Sequence, residues 1–308
     1  MVKRNQTSID IEKNIKNCYS TWGEGYYQDF YGDKAAYPPV NLMIIKKIIK
    51  ESNPQRILDA GCGPASMLRH FAKEGRDLYG FDLTPEMILE AKKIMSKLGV
   101  NKERLWEGSV SNLNSFFCKG ESSIPYNAII CSGVFPHLSE NDEFATINNI
   151  YSSLGDDGVA IVEARNAFFS LFSLNRYTHE FFIEELIPTE NLRKSANNEE
   201  FEALTSTLEN IKSAFRTDLP PIRLGKSGEL GYDQVLSKLH NPLILERSFK
   251  DAGFKNVETL FYHYHALPPR FSAPVQNLFL RQSLEMEKNP RDWRGYFMAS
   301  AFLLVAKK

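Results

Sequence analysis

The 308-residue sequence has little of what would assign it to a membrane, a secreted scaffold or a nucleic-acid surface. Its four cysteines, Cys18, Cys62, Cys118 and Cys131, are scattered, without the paired spacing of a zinc site, so no metal is expected. No signal-peptide pattern precedes them, and the expectation is a reducing compartment, the cytoplasm. The longest apolar runs fall far short of the roughly 20 residues of a membrane span, so no bilayer crossing is expected. Charge of one sign is missing too: 37 Lys and Arg stand against 38 Asp and Glu, a net of −1. With no global field to draw in a polyanion, a nucleic-acid partner is not expected. Internal repeats and low-complexity tracts are absent, and the length suits one large core with a modest appended unit.

Against these absences stands one informative stretch, Arg56-Ile57-Leu58-Asp59-Ala60-Gly61-Cys62-Gly63-Pro64. It reads as a buried parallel strand feeding a tight turn. Gly61 and Gly63 admit positive φ and let a ligand lie against bare backbone, while a helix opening at Pro64 or Ala65 would offer unpaired N–H groups. The next strand, Asp77 to Phe81, ends in Asp82, about 20 residues after the turn, where an acid can accept both hydroxyls of a ribose.

At these residues the chain resembles the class I S-adenosylmethionine-dependent methyltransferases, whose first motif is an acid, any residue, glycine, any residue, glycine. The resemblance implies that Asp59, Gly61 and Gly63 meet the methionine half of the cofactor, with Cys62 between them in the cofactor-binding set, and that Asp82 binds the ribose. It further implies that Leu83 and Met87 flank the adenine. Gly108, Ser109 and Val110 lie at the end of the third strand, and Ser109 stands where most relatives carry an acid that receives a hydrogen bond from the adenine amino group. A serine oxygen could accept that bond without charge assistance. Cys131 and Ser132, at the end of the fourth strand, complete the expected cofactor set. The aromatic N-terminal segment, with Tyr19, Trp22, Tyr26, Tyr27, Phe30 and Tyr31, reads as helix packed on the sheet. By resemblance it is a lid in which Tyr27 or Tyr37 closes over the cofactor. A dinucleotide dehydrogenase is the rival reading, but Asp59 would repel a pyrophosphate at a helix N-terminus and suits an ammonium and a sulfonium.

The rest of the pattern alternates: a helix over 40–50, strand 56–60, helix 64–73, strand 77–82, helix 85–98 with Thr84 as N-cap, strand 103–107, a short helix near 111–117, strand 127–131, helix 141–153, strand 158–163. A helix over 243–251 follows later, then strands over 255–267 and 296–306. The expected fold is α/β, a doubly wound, seven-stranded, mostly parallel sheet with an antiparallel terminal strand and a helical cap insertion. The division expected is an N-terminal helical lid over 1–54, a cofactor-binding core over 55–165, a cap over 166–241, and a helix and strand pair over 242–308 completing the core. The cap reads as one or two helices broken near Asn175, then polar loops marked by Pro220-Pro221. Its arginines, with Arg165, Arg176, Arg193, Arg216 and Arg223 in the run, read as solvated or as binders of an anionic group.

The loop Cys131-Ser132-Gly133-Val134-Phe135-Pro136-His137-Leu138 lies at the switch point of such a sheet, which makes His137 a candidate general base. His265, on one strand face with His263, is the second candidate. The loop lacks the Asp or Asn, Pro-Pro and aromatic run typical of methyltransferases acting on nucleobase amino groups, and no cysteine follows a proline as in the base-carbon enzymes. The expected activity is methyl transfer to a small-molecule acceptor, with O-methylation of a sugar derivative or specialised metabolite favoured. N-methylation of a small amine and a non-catalytic cofactor-binding scaffold stay open, as does the choice between monomer and homodimer. Propylamine transfer is disfavoured because Ser132, Gly133 and Val134 supply no paired acids.

Overall fold

The computed structural model describes residues 6–33, 35, 37–118, 124–218, 225 and 228–308, so the readings made on Pro220, Pro221 and Arg223 lie outside the described residues. Seven strands form one sheet in the order β3-β2-β1-β4-β5-β7-β6. They are β1 (Arg56–Ala60), β2 (Asp77–Asp82), β3 (Leu105–Glu107), β4 (Tyr126–Cys131), β5 (Leu154–Arg165), β6 (Asn256–Tyr264) and β7 (Ala299–Lys307). The first five pair in parallel, with Asp59 opposite Gly80 and Ile130, and Asp82 opposite Glu107. Their continuous apolar runs, Ile57-Leu58 and Ile129-Ile130, are fully buried, as a sheet covered on both faces requires. β7 runs antiparallel. It meets β5 where Lys308 N–H donates to Gly158 O and Asn166 N–H to Ser300 O, and β6 where Lys255 N–H donates to Lys307 O and His265 N–H to Met298 O.

The chain divides into two compact units, one of Met1–Arg165, Ile222–Leu260 and Phe302–Lys308, the other of Asn166–Pro221 and Phe261–Ala301. In the first, helices α1 (Ser8–Tyr19), α2 (Gly23–Phe30), α3 (Val40–Ser52), α4 (Pro85–Lys97) and α5 (Glu140–Ser153) precede or link the strands. α1 starts at a capping box in which Thr7 Oγ1 accepts from Asp10 N–H and the Asp10 carboxylate accepts from Thr7 N–H. In the second unit, Asn175 N-caps the helix Arg176–Phe181 at the expected break, and Asn166 knits a corner by donating through its side-chain amide to the carbonyls of Gly295, Tyr296 and Ala299.

One expected helix does not form, and two further expectations are refined. Residues 64–73 form turns and a single 3₁₀ turn, Leu68–His70, in place of an α-helix. Ala65 takes φ +58°, which interrupts the helical ladder, and the Arg69 guanidinium donates to the Pro64 and Ala65 carbonyls. The segment near 111–117 is likewise 3₁₀, over Leu113–Phe116. Thr84 stands at the N-cap position of α4 but makes no side-chain cap bond; its hydroxyl joins its N–H on the Asp82 carboxylate.

Candidate active site

A cavity opens at the carboxyl ends of β1 to β4, wholly within the first unit. β1 delivers Asp59 to its floor, and the turn that follows bends sharply at Gly61, φ +90°, where a Cβ would sit 2.3 Å from Val134 Cγ2. Gly63, φ +52°, has open space where a Cβ would be, and its N–H donates to Asp82 Oδ2 at 2.8 Å while Asp82 Oδ1 accepts from Thr84 N–H at 2.8 Å. With the Thr84 hydroxyl these make three donors on the Asp82 carboxylate, which leaves it acceptor capacity for a ligand hydroxyl.

Burial, and then the Asp82 charge, push the Asp59 carboxyl up to about 8, and no group among the described residues offsets them. Ser66 Oγ, also in the wall, is buried without a hydrogen-bond partner among the described residues. A ligand bringing positive charge beside Asp59 would relieve the larger of these costs. The residues present therefore fit a cationic amino-acid ligand. Among the described residues the cavity wall holds the carboxylates Glu12, Asp59, Asp82 and Asp142, and no lysine or arginine.

On the β4 side, Ser132, Gly133, Val134 and His137 line the cavity. His137 Nδ1 lies 2.6 Å from Leu236 O, which only an N–H can satisfy, so Nε2 is left as an acceptor, 3.0 Å from the Tyr19 hydroxyl. Burial lowers the imidazole to about 4, so it is neutral. Ser132 donates to Glu163 at the matching end of β5, and Tyr31 is held by Asn41 and Ser132.

On the β3 side the cavity is walled by Leu83, Met87, Gly108, Ser109 and Val110. The strand end is held by Gly108 N–H on Asp82 O, Ser109 N–H on Ser115 Oγ, and the Asn149 amide on Val110 O.

Of the residues singled out from the sequence, Asp59, Gly61, Cys62, Gly63, Asp82, Leu83, Met87, Gly108, Ser109, Val110, Ser132 and His137 converge on this cavity. Three do not. Cys131 is buried behind the wall, its thiol pushed up by burial. Tyr27 is not in the wall: Trp22, Tyr26 and Phe30, four apart, pack on one another along one side of α2, and Tyr27, one residue round, stacks on Tyr31 and carries the Arg69 guanidinium 3.8 Å from its ring centre. Tyr19, Tyr26 and Tyr31 are the tyrosines that line the cavity. His265 belongs to the second unit, where its ring lies 4.6 Å from Phe169 and 5.5 Å from His263 between ring centres, and burial lowers it to about 4. His263 departs from the strand alternation with φ +61°, and the Glu287 carboxylate accepts its N–H and that of Tyr264.

Sequence reading missed Glu12, Ile15, Tyr19 and Asp142 as wall residues. The signal was available for α1 alone: Ile11, Glu12, Ile15 and Tyr19 share one helical face, but which cavity that face covers is a tertiary fact. Among the described residues no helix is long and apolar enough to cross a membrane, and no three His, Cys, Asp or Glu are grouped to hold a metal.

A family model described as a methyltransferase domain matches residues 42–259, more than half of the chain. A provisionally named methyltransferase of Geobacillus sp. (strain WCH70) is 26% identical over 145 residues, 46% of this chain and 56% of that protein. The chain thus spans little more than half the length of that curated relative. Among solved structures, an S-adenosylmethionine-dependent methyltransferase from Clostridium acetobutylicum ATCC 824 is similar in fold with a TM-score of 0.52 at 12% identity, over 92% of this chain and 96% of the other. Magnesium protoporphyrin IX methyltransferase from Synechocystis PCC 6803, with bound SAH, gives 0.51 at 13% identity, over 97% and 100%.

Proposed function

This chain belongs to the methyltransferase-domain family, as a class I S-adenosylmethionine-dependent methyltransferase, and from that premise we propose that it methylates a small, uncharged acceptor, a hydroxyl of a sugar derivative or specialised metabolite. S-adenosylmethionine supplies a methyl group already activated by positive sulfur. The remaining work falls to the protein: to bind, align and exclude water.

The observation that carries the reading is the cavity itself, acid-lined, without a lysine or arginine among the described residues, and roofed by the tyrosines of α1 and α2. Such a wall attracts a cationic donor and disfavours a phosphate or carboxylate acceptor. Asp59, ionised by a neighbouring cation, would hold the amino-acid end. Asp82, its carboxylate aimed by Gly63 and Thr84, would take the ribose hydroxyls.

His137 Nε2 is the proton acceptor of the site. Its tautomer is set by Leu236 O, and a hydroxyl taking the place of Tyr19, or relayed through it, would give up its proton there as its oxygen gains the methyl group. The roles of Asp59, Asp82 and His137 are parts of this proposal.

The test is incubation with methyl-labelled S-adenosylmethionine and fractionated metabolite extracts, followed by mass spectrometry. Label appearing on hydroxyls of neutral compounds is expected. Label on a phosphate or carboxylate bearer would overturn the acceptor class. Tight donor binding without turnover in broad extracts would favour a scaffold.

A further inference from the structure

The charges and the topology orient an adenosyl ligand in this cavity. Asp59 and His137, at the ends of β1 and β4, place the cation and the proton acceptor on one side. Asp82 at the end of β2 is next, and β3 lies beyond it, so a base attached to the ribose must extend over Leu83 and Met87 toward Gly108–Val110.

What waits there is a carboxylate from α1. Glu12 Oε1 accepts from Ser109 Oγ at 2.5 Å and lies 3.5 Å from Ser111 Oγ, and the two serine hydroxyls are 2.8 Å apart. Both hydroxyls converge on Oε1, so among the described residues Oε2 keeps its acceptor capacity. A capping box fixes where α1 begins, and Lys16 anchors the helix to the β3 end through Glu107 at 3.1 Å. Seven residues on, roughly 10 Å along the helix, Tyr19 meets His137. One helix face therefore spans the cavity from the β3 end to the β4 loop.

We propose that Glu12 reads the exocyclic amino group of the adenine, so that base selection in the cofactor is made by the N-terminal helix and not by the sheet. The inference rests on the adenosyl reading of the cavity given above. A carboxylate only accepts, and a 6-amino group only donates; a 6-oxo purine would set two acceptors face to face. Ser109 is the weaker acceptor, because its uncharged oxygen already accepts from Ser111 N–H and faces the Ser111 hydroxyl, while the Glu12 carboxylate brings charge and a free oxygen.

Calorimetric titration with S-adenosylhomocysteine and with its 6-oxo, inosyl counterpart separates the possibilities, using wild type, Glu12→Gln and Glu12→Ala, each checked for an unchanged melting temperature. Wild type is expected to prefer the 6-amino ligand by about tenfold or more, the range of a charge-assisted hydrogen bond. Glu12→Gln, whose amide can also donate, should bring that ratio close to one, and Glu12→Ala should weaken 6-amino binding alone. Ser109→Ala, which removes the hydroxyl orienting the carboxylate, should lower the ratio in part. Wild-type binding of S-adenosylhomocysteine with the preference intact in both Glu12 variants would overturn the inference and leave the adenosyl reading standing. Equal weakening of both ligands would assign Glu12 to holding α1, against the inference. Failure of wild type to bind either ligand would overturn the adenosyl reading itself.

Discussion

Replacing Asp59 by Asn tests the electrostatic core of the site. In the empty protein the Asp59 carboxyl is raised to about 8 by burial and by Asp82. A cationic ligand needs it ionised. At pH 8 about half of the molecules meet that condition and at pH 6 about one in a hundred, so affinity for S-adenosylmethionine should fall roughly fifty-fold between them. Binding at pH 7 should release close to one proton into the buffer. His137 does not disturb this window, because burial has already lowered it to about 4. The same shift has a stability sign. The folded carboxyl is raised above its ordinary 3.8, so the folded state holds the extra proton between the two values, and the stability of the empty protein should decline as pH rises from about 4 to about 8. Asp59→Asn should bind the donor more weakly at pH 8, show little pH dependence from this group, and flatten the melting curve against pH. Calorimetry in buffers of differing ionisation enthalpy reads both affinity and proton count. A wild-type affinity flat from pH 6 to 8 without proton release, or an Asn variant that keeps the slope, would refute the reasoning.

Gly61→Ala should cost about 1–3 kcal/mol in urea denaturation, because the new Cβ would press on Val134 in a positive-φ turn; an added Val134→Ala should recover part, and an unchanged midpoint would count against the close approach. Arg69→Ala removes a two-point pairing with Glu24, bonds to two carbonyls and a ring contact with Tyr27, so a loss of about 2–3 kcal/mol is expected, read as a lowered melting temperature. His137→Asn should lower kcat about 100-fold with whatever acceptor the labelling screen identifies, while S-adenosylhomocysteine affinity changes less than about twofold. Equal losses in both would make His137 structural. With its imidazole near 4, wild-type kcat should be level on the acid side from pH 6 to 8, and an acid limb near 6.5 would contradict the buried geometry.

Much of the fold was readable from order and period. β1 and β2 fall on the residues that the apolar runs and their terminal acids marked, and the parallel order follows from strands separated by crossover segments. Residues 64–73 were misread because apolar spacing cannot report that Ala65 adopts a left-handed turn held by a side chain from the next one, Arg69. Tyr27 failed for a related reason: in a run of adjacent tyrosines, composition cannot choose the stripe, and the choice of Tyr26 was made by Trp22 and Phe30 packing around it.

The sequence by itself determined the glycine turn, the acids at the ends of β1 and β2 and the strand order that brings them together, because these are properties of neighbouring residues and of chain direction. Only the tertiary structure decided that Glu12 from α1 meets Ser109, that Tyr19 meets His137, and that Asp59 lies buried beside Asp82 with no balancing cation among the described residues. Those contacts join residues about a hundred positions apart, or depend on how completely water is excluded, and neither separation in space nor local dielectric is written in a local pattern.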